Sequence, residues 1–139
     1  MISFNYETEF ELPNESAIES WIARVIASEQ KSEGELAYVF CDDAYLLELN
    51  QNYLQHDTLT DIISFDYSLG NELSGDVFIS VERVRENAEI FNQSFENELL
   101  RVIIHGVLHY CGYKDKAEAD EQLMRQKENE KLAMFHVEH

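Results

Sequence analysis

The sequence predicts an α+β domain with one mixed β-sheet packed by helices. Short apolar or alternating runs at residues 2–10, 36–41, 61–67 and 75–81 read as strands. Between and after them lie longer runs whose apolar residues recur every three or four positions, the helical period. The chain has 139 residues, 45% of them hydrophobic, which is one domain's length and enough for a core without disulfide staples. A single domain over residues 1–139 is expected, with no linker and no internal repeat.

In order along the chain, Ile2, Phe4, Tyr6 and Phe10 alternate with Ser3, Asn5, Glu7 and Glu9, the pattern of a half-buried strand. Residues 13–16 open a helix whose stripe is Ile18, Trp21, Ile22, Val25 and Ile26. Residues 36–41 suit a second strand. Asp42 and Asp43 cap a helix running to about Tyr53, with Leu46, Leu47, Leu49 and Leu54 available to the core. A polar connection at 55–60 leads to two strands, 61–67 and 75–81, joined by a loop at 68–74. A helix from Glu82 to about Phe91 follows, and Ser94 begins the next. That helix is apolar on most sides (Leu99, Leu100, Val102, Ile103, Ile104, Val107, Leu108), so it is expected to be central and buried, with a charged amphipathic helix at about 117–135 closing the chain.

The charge is lopsided: 10 Lys and Arg against 28 Asp and Glu, net −18. Such a surface keeps a protein soluble, repels polyanions and anionic membranes, and attracts basic protein partners. Tight unaided binding of nucleic acid through a broad basic face is not expected. Cys41 and Cys111 are the two cysteines, expected as reduced thiols in a cytoplasmic protein. Cys111 lies about 200° around the helix from His109, so it should face the core. The N-terminus has no signal-peptide pattern, and no apolar run reaches the roughly 18 residues of a membrane span.

The run His105-Gly-Val-Leu-His109-Tyr-Cys-Gly112-Tyr-Lys-Asp115 carries the chemistry. Histidines four apart on a helix point the same way. Gly112 can take positive φ and reverse the chain, and Asp115 is the next side chain able to ligate. Two imidazoles and one carboxylate with open coordination positions describe a catalytic zinc site, with His105, His109 and Asp115 as candidate ligands. The same donors occur in non-haem iron triads, but both histidines on one helix argue against that. A zinc protease has glutamate after its first histidine; here that position is Gly106, so its general base is absent. His136 and His139 read as solvated tail residues and His56 as a loop residue.

The same run resembles the signature of the YbeY family of bacterial rRNA-maturation factors, H-G-x-L-H-L-x-G-Y-D-H. Residues 49–57 with 60–65, and 75–80, resemble two further family blocks, so the likeness covers about residues 36–116. It implies an α+β fold, one zinc, and a metal-dependent, single-strand-specific endoribonuclease acting in 16S rRNA 3′-end maturation and ribosome quality control. The implied partner is rRNA or the assembling small subunit. The −18 charge adds a basic ribosomal protein that delivers the enzyme to its RNA.

By position the third ligand falls on Asp115 where the family has histidine, Lys114 stands for its aspartate, and its phosphate-contacting arginine falls on Leu54. Arg101, Lys114 and Lys116 are the candidates to replace that guanidinium, and ordinary surface charge is the plainer reading of all three. The cleft is expected between the histidine helix and residues 54–64. The alternative is a non-catalytic assembly factor whose metal braces the fold; a peptidase is disfavoured by Gly106.

Overall fold

The computed structural model describes residues 1–54 and 60–138; the expectations for His56, His139 and the Leu54 side chain fall outside the described residues. In chain order the elements are β1 (Ile2–Tyr6), α1 (Glu15–Ser28), β2 (Ser32–Cys41), α2 (Asp43–Leu49), β3 (Ile62–Asp66), β4 (Glu72–Ser80), α3 (Val81–Ile90), α4 (Phe95–Tyr110) and α5 (Glu118–Glu138). The strands form one mixed sheet in the order β1-β2-β4-β3. β2 pairs in parallel with β1 and β4, and β3 pairs antiparallel with β4. This is the α+β domain with a mixed sheet that the sequence predicts.

Strand alternation divides the side chains between two faces. Leu36, Tyr38 and Phe40 of β2 and Val77 and Ile79 of β4 join the main core with Trp21 and Ile22 of α1 and Leu100, Ile103 and Ile104 of α4. On the opposite face Cys41 and Ile63 pack with Leu46 of α2, flanked by Phe65 and Phe78. Helices therefore cover both faces, because β3 and β4 carry apolar side chains on each. Burial of a large apolar side chain stabilises by about 1.5–3 kcal/mol. The central α4 buries Leu99, Leu100, Val102, Ile103, Ile104, Val107 and Leu108, and the buried Tyr38 hydroxyl donates to Ile103 O at 3.2 Å.

The boundaries differ from expectation in several places: β1 ends at Tyr6 and does not reach Phe10, and β4 begins at Glu72 and not at Gly75. β2 starts at Ser32 because its first residues pair with β4 through backbone and polar groups, such as Glu35 N–H donating to Ser74 Oγ at 3.0 Å. The helix expected to run to Tyr53 is α-helical only to Leu49, and residues Asn50–Leu54 wind as a π-helix. Asp42 caps α2, accepting from Tyr45 N–H at 2.9 Å. Asp43 does not cap: it accepts from Ser80 Oγ at 2.7 Å and Arg83 Nη2 at 2.8 Å, joining α2 to the start of α3.

Candidate metal centre

Ser94 caps α4 by accepting from Asn97 N–H at 3.1 Å, which sets the helix start and hence the direction in which both histidines point. At the other end Gly112 adopts φ +106°, with Gly112 N–H bonded to His109 O at 2.9 Å and Tyr113 N–H to Leu108 O at 3.1 Å. This paired closure ends the helix, and its positive φ is one that side-chain-bearing residues rarely take. The reversed chain brings Asp115 back over the last turn. Cys111, half-buried, packs against the main core as expected.

Asp115 Oδ2 lies 3.1 Å from His105 Nε2 and 3.2 Å from His109 Nε2. One ligand atom from each of the three residues falls within 4.8 Å of the others. Two donors held about 2.0–2.1 Å from one tetrahedral ion would stand about 3.3 Å apart, so these separations, which are also hydrogen-bond lengths, are compatible with a shared ion. His105 Nδ1 lies 2.7 Å from Glu128 Oε2, and its N–H donates to that carboxylate. The Nε2 of a neutral His105 is then an acceptor facing the acceptor Oδ2 of Asp115. Only a proton or a metal ion satisfies both, so the donor set fits a bound cation.

Burial would pull the His105 imidazole down, but the hydrogen-bonded Glu128 carboxylate, with Asp115 and Asp61 nearby, holds its pKa above the ordinary value. Burial would raise Glu128, yet the hydrogen bonds from His105 and Arg101 hold it below the usual glutamate value. Glu128 is thus a carboxylate that orients the candidate ligand His105. Sequence reasoning missed it. The available signal was a glutamate set in the apolar stripe of α5, four residues after Met124 and four before Leu132, all three buried.

Arg101 does approach the site, but its guanidinium is occupied: Nη1 donates to Glu128 Oε1 and Nη2 to Asn129 Oδ1, each at 2.9 Å. Lys114 and Lys116 are exposed on the turn, and neither lines the cavities beside the centre. Gly106 faces the sheet, where a Cβ would stand 3.3 Å from Val77 Cγ1 and 3.4 Å from Ile62 Cδ1. A glutamate there would meet strands β3 and β4 and not the metal centre. His136, in the last turn of α5, is exposed.

Two cavities open beside the three donors. One of about 410 Å³ runs between α4 and residues 60–64, with Thr60, Asp61, Phe91 and Arg125 in its wall. The other, about 530 Å³, lies along α5 and shares His105, Asp115, Arg125 and Glu128. Burial pushes up the carboxyls of Asp61 and Glu98, both in the smaller cavity's wall. Ligand exposure rises from His105 (18%) to His109 (32%) and Asp115 (37%), so the open side of the centre is the side of the turn.

An α+β domain with two histidines on its central helix, an aspartate from the following turn and a buried carboxylate behind one imidazole defines a class: a domain built around a candidate catalytic-type metal centre. The chain belongs to the endoribonuclease YbeY family, whose profile matches residues 3–136. Proteins named endoribonuclease YbeY are similar over nearly their whole length. The one from Flavobacterium johnsoniae is 67% identical, covering 99% of each chain, and the one from Christiangramia forsetii is 56% identical over 99% of this chain and 96% of its own. A solution structure from Thermotoga maritima superposes with a TM-score of 0.74 at 26% identity, covering 99% of this chain and 91% of that one.

Proposed function

We propose that this chain is a zinc-dependent endoribonuclease that cuts single-stranded RNA in 16S rRNA 3′-end maturation and ribosome quality control, acting in the cytoplasm. The observation that carries the proposal is the convergence of His105, His109 and Asp115 on one point at the floor of an open cavity, in a chain whose relatives bear the endoribonuclease name.

A zinc ion held there would polarise a phosphoryl oxygen and lower the pKa of a water. The chain's own residues do the rest. Glu128 fixes the His105 tautomer, and the Gly112 turn delivers Asp115. Asp61, its carboxyl pushed up by burial, lines the same cavity. With a net charge of −18 the protein has little purchase on naked RNA, so delivery by a basic ribosomal protein or action on the assembling small subunit is part of the proposal. Among the described residues no helix is long and apolar enough to cross a membrane.

The test is metal analysis of purified protein together with cleavage of a single-stranded RNA. Near-stoichiometric zinc is expected in the wild type and its loss in His109→Ala and Asp115→Ala. Cleavage should stop on chelation and return with zinc. Undiminished cleavage by metal-free His109→Ala would overturn the proposal. The second reading, a non-catalytic assembly factor braced by its metal, is favoured by Leu54 standing where the family has its arginine. It expects bound zinc, no cleavage, and a lower melting temperature for His109→Ala.

A further inference from the structure

We propose that Arg125 and Phe91 form the nucleotide-gripping wall of the cleft: the Arg125 guanidinium takes a backbone phosphate, and the Phe91 ring stacks a base beside the metal centre. The identity of the ligand as RNA rests on the nuclease reading above; the pairing of a cation and a π-face rests on the cleft itself.

Arg125 projects from α5, one turn before Glu128. It lines both cavities, each of which also contains His105 and Asp115. A strand passing from one cavity to the other across the metal centre therefore passes this guanidinium. The Arg125 side chain is 60% exposed, and its Nη1 stands 3.9 Å from Glu128 Oε1, beyond hydrogen-bond distance. That oxygen already accepts from Arg101 at 2.9 Å. The two arginines of the smaller cavity thus divide their work. Arg101 is 14% exposed with both terminal nitrogens committed, which makes it a structural clamp between α4 and α5. Among the described residues the only ion pair of Arg125 is the long one with Glu128 at 3.9 Å, so its planar guanidinium is available to a pair of phosphate oxygens.

Phe91 follows the last residue of α3. Its side chain is 56% exposed although it lines the smaller cavity, and it belongs to neither hydrophobic cluster. An aromatic ring left in water at the mouth of a cleft is a stacking platform, because every base offers a π-face. The cavity, about 410 Å³ and lined by both Phe91 and Arg125, falls within the roughly 300–1,000 Å³ of small-molecule sites, enough for a nucleotide unit.

The test is equilibrium binding of a fluorescent, non-cleavable 2′-O-methyl single-stranded oligoribonucleotide to the purified full chain, over a salt series beginning at low ionic strength. Arg125→Gln should weaken binding about 10-fold and reduce the slope of log Kd against log salt by about 0.7, the loss of one phosphate contact. Arg125→Lys should restore the slope but not the full affinity. Phe91→Ala should weaken binding about 10-fold with the slope unchanged. On an oligomer with abasic positions, Phe91→Ala and wild type should bind alike. Because both side chains are largely exposed, both variants should melt with the wild type. Wild-type affinity and slope in Arg125→Gln, wild-type affinity for the base-bearing oligomer in Phe91→Ala, or a wild type that fails to bind the oligomer even at the lowest ionic strength would each overturn the proposal. A wild type that binds with both dependences yet cuts no RNA leaves the proposal standing and removes the nuclease reading. A wild type that cuts RNA while the variants bind as it does removes this proposal alone.

Discussion

The Glu128 carboxylate holds two side chains of α4 at once, with Oε2 on His105 Nδ1 and Oε1 on Arg101 Nη1. It is 7% exposed, so its charge is tolerable only because both partners are in place. Glu128→Gln keeps the shape but weakens the acceptor and permits the opposite His105 tautomer. The expected outcome is a loss of about 10–100-fold in zinc affinity with the ion still bindable, read by competition with a chromophoric chelator. Affinity equal to that of wild type would mean that the orientation of His105 does not depend on Glu128. At this scale the cluster of candidate ligands was legible in the sequence, because i, i+4 spacing on a helix is a local matter. Glu128, Arg125 and Asp61 were not, since they come from α5 and from the residue before β3, outside the helix that carries the histidines.

Among the elements, the turn after α4 decides whether there is a third ligand. Gly112 at φ +106° has open space around the position of a Cβ, so a substitution there meets backbone strain and not a clash. Gly112→Ala should cost about 1–3 kcal/mol of stability. It should also lower zinc affinity relative to wild type, because relieving the strain rotates Asp115 away from His105 and His109; parallel thermal melts and metal titrations check both. A normal affinity would show that Asp115 reaches the ion without that turn. Gly75 is constrained differently: a Cβ there would stand 2.4 Å from Phe65 O and 2.5 Å from Tyr110 Oη. The Tyr110 hydroxyl shares its proton with Phe65 O and Asp76 O at 3.1 and 3.2 Å, which docks the end of α4 onto the sheet. Helix types and the Ser94 start were readable from apolar period and capping chemistry. The π-helical winding at Asn50–Leu54 and the early start of β2 were not, because backbone pairing leaves no periodic mark.

Across the whole molecule, residues from distant parts of the chain hold the ligand-bearing turn in place. Glu29, at the end of α1, accepts from the Tyr113 hydroxyl at 2.7 Å and pairs with Lys131 Nζ of α5 at 2.8 Å. Lys131 also donates to Ser28 Oγ at 2.9 Å, and the Trp21 indole donates to Lys131 O at 2.7 Å. Burial would raise the Glu29 pKa, but Lys131 and Tyr113 hold it below the ordinary value. A carboxylate with a lowered folded pKa contributes stability that is complete above its unfolded pKa, ~4.3, and is lost as pH falls through the folded value. Glu29→Gln should therefore cost roughly 2–3 kcal/mol at pH 7, as among the described residues Lys131 keeps only the more exposed Glu130 as an ion-pair partner. The gap between variant and wild type should close as pH falls below ~4, followed by melting temperature across pH. A gap that stays constant through that range would remove Glu29 as the source.

The sequence by itself determined the element types, the mixed α+β class and the three candidate ligands. Each depends on neighbours within a turn or a strand, where period, capping and glycine act locally. It also showed that Gly106 supplies no base, though not why: that position is pressed against Val77 and Ile62 of the sheet. Only the tertiary structure decided which charges the site can use. The packing of α5 across α4 commits Arg101 to Glu128 and Asn129, leaves Arg125 facing the cleft, and puts Phe91 and Asp61 in the same cavity wall. Those choices depend on how distant helices pack, which linear spacing does not record.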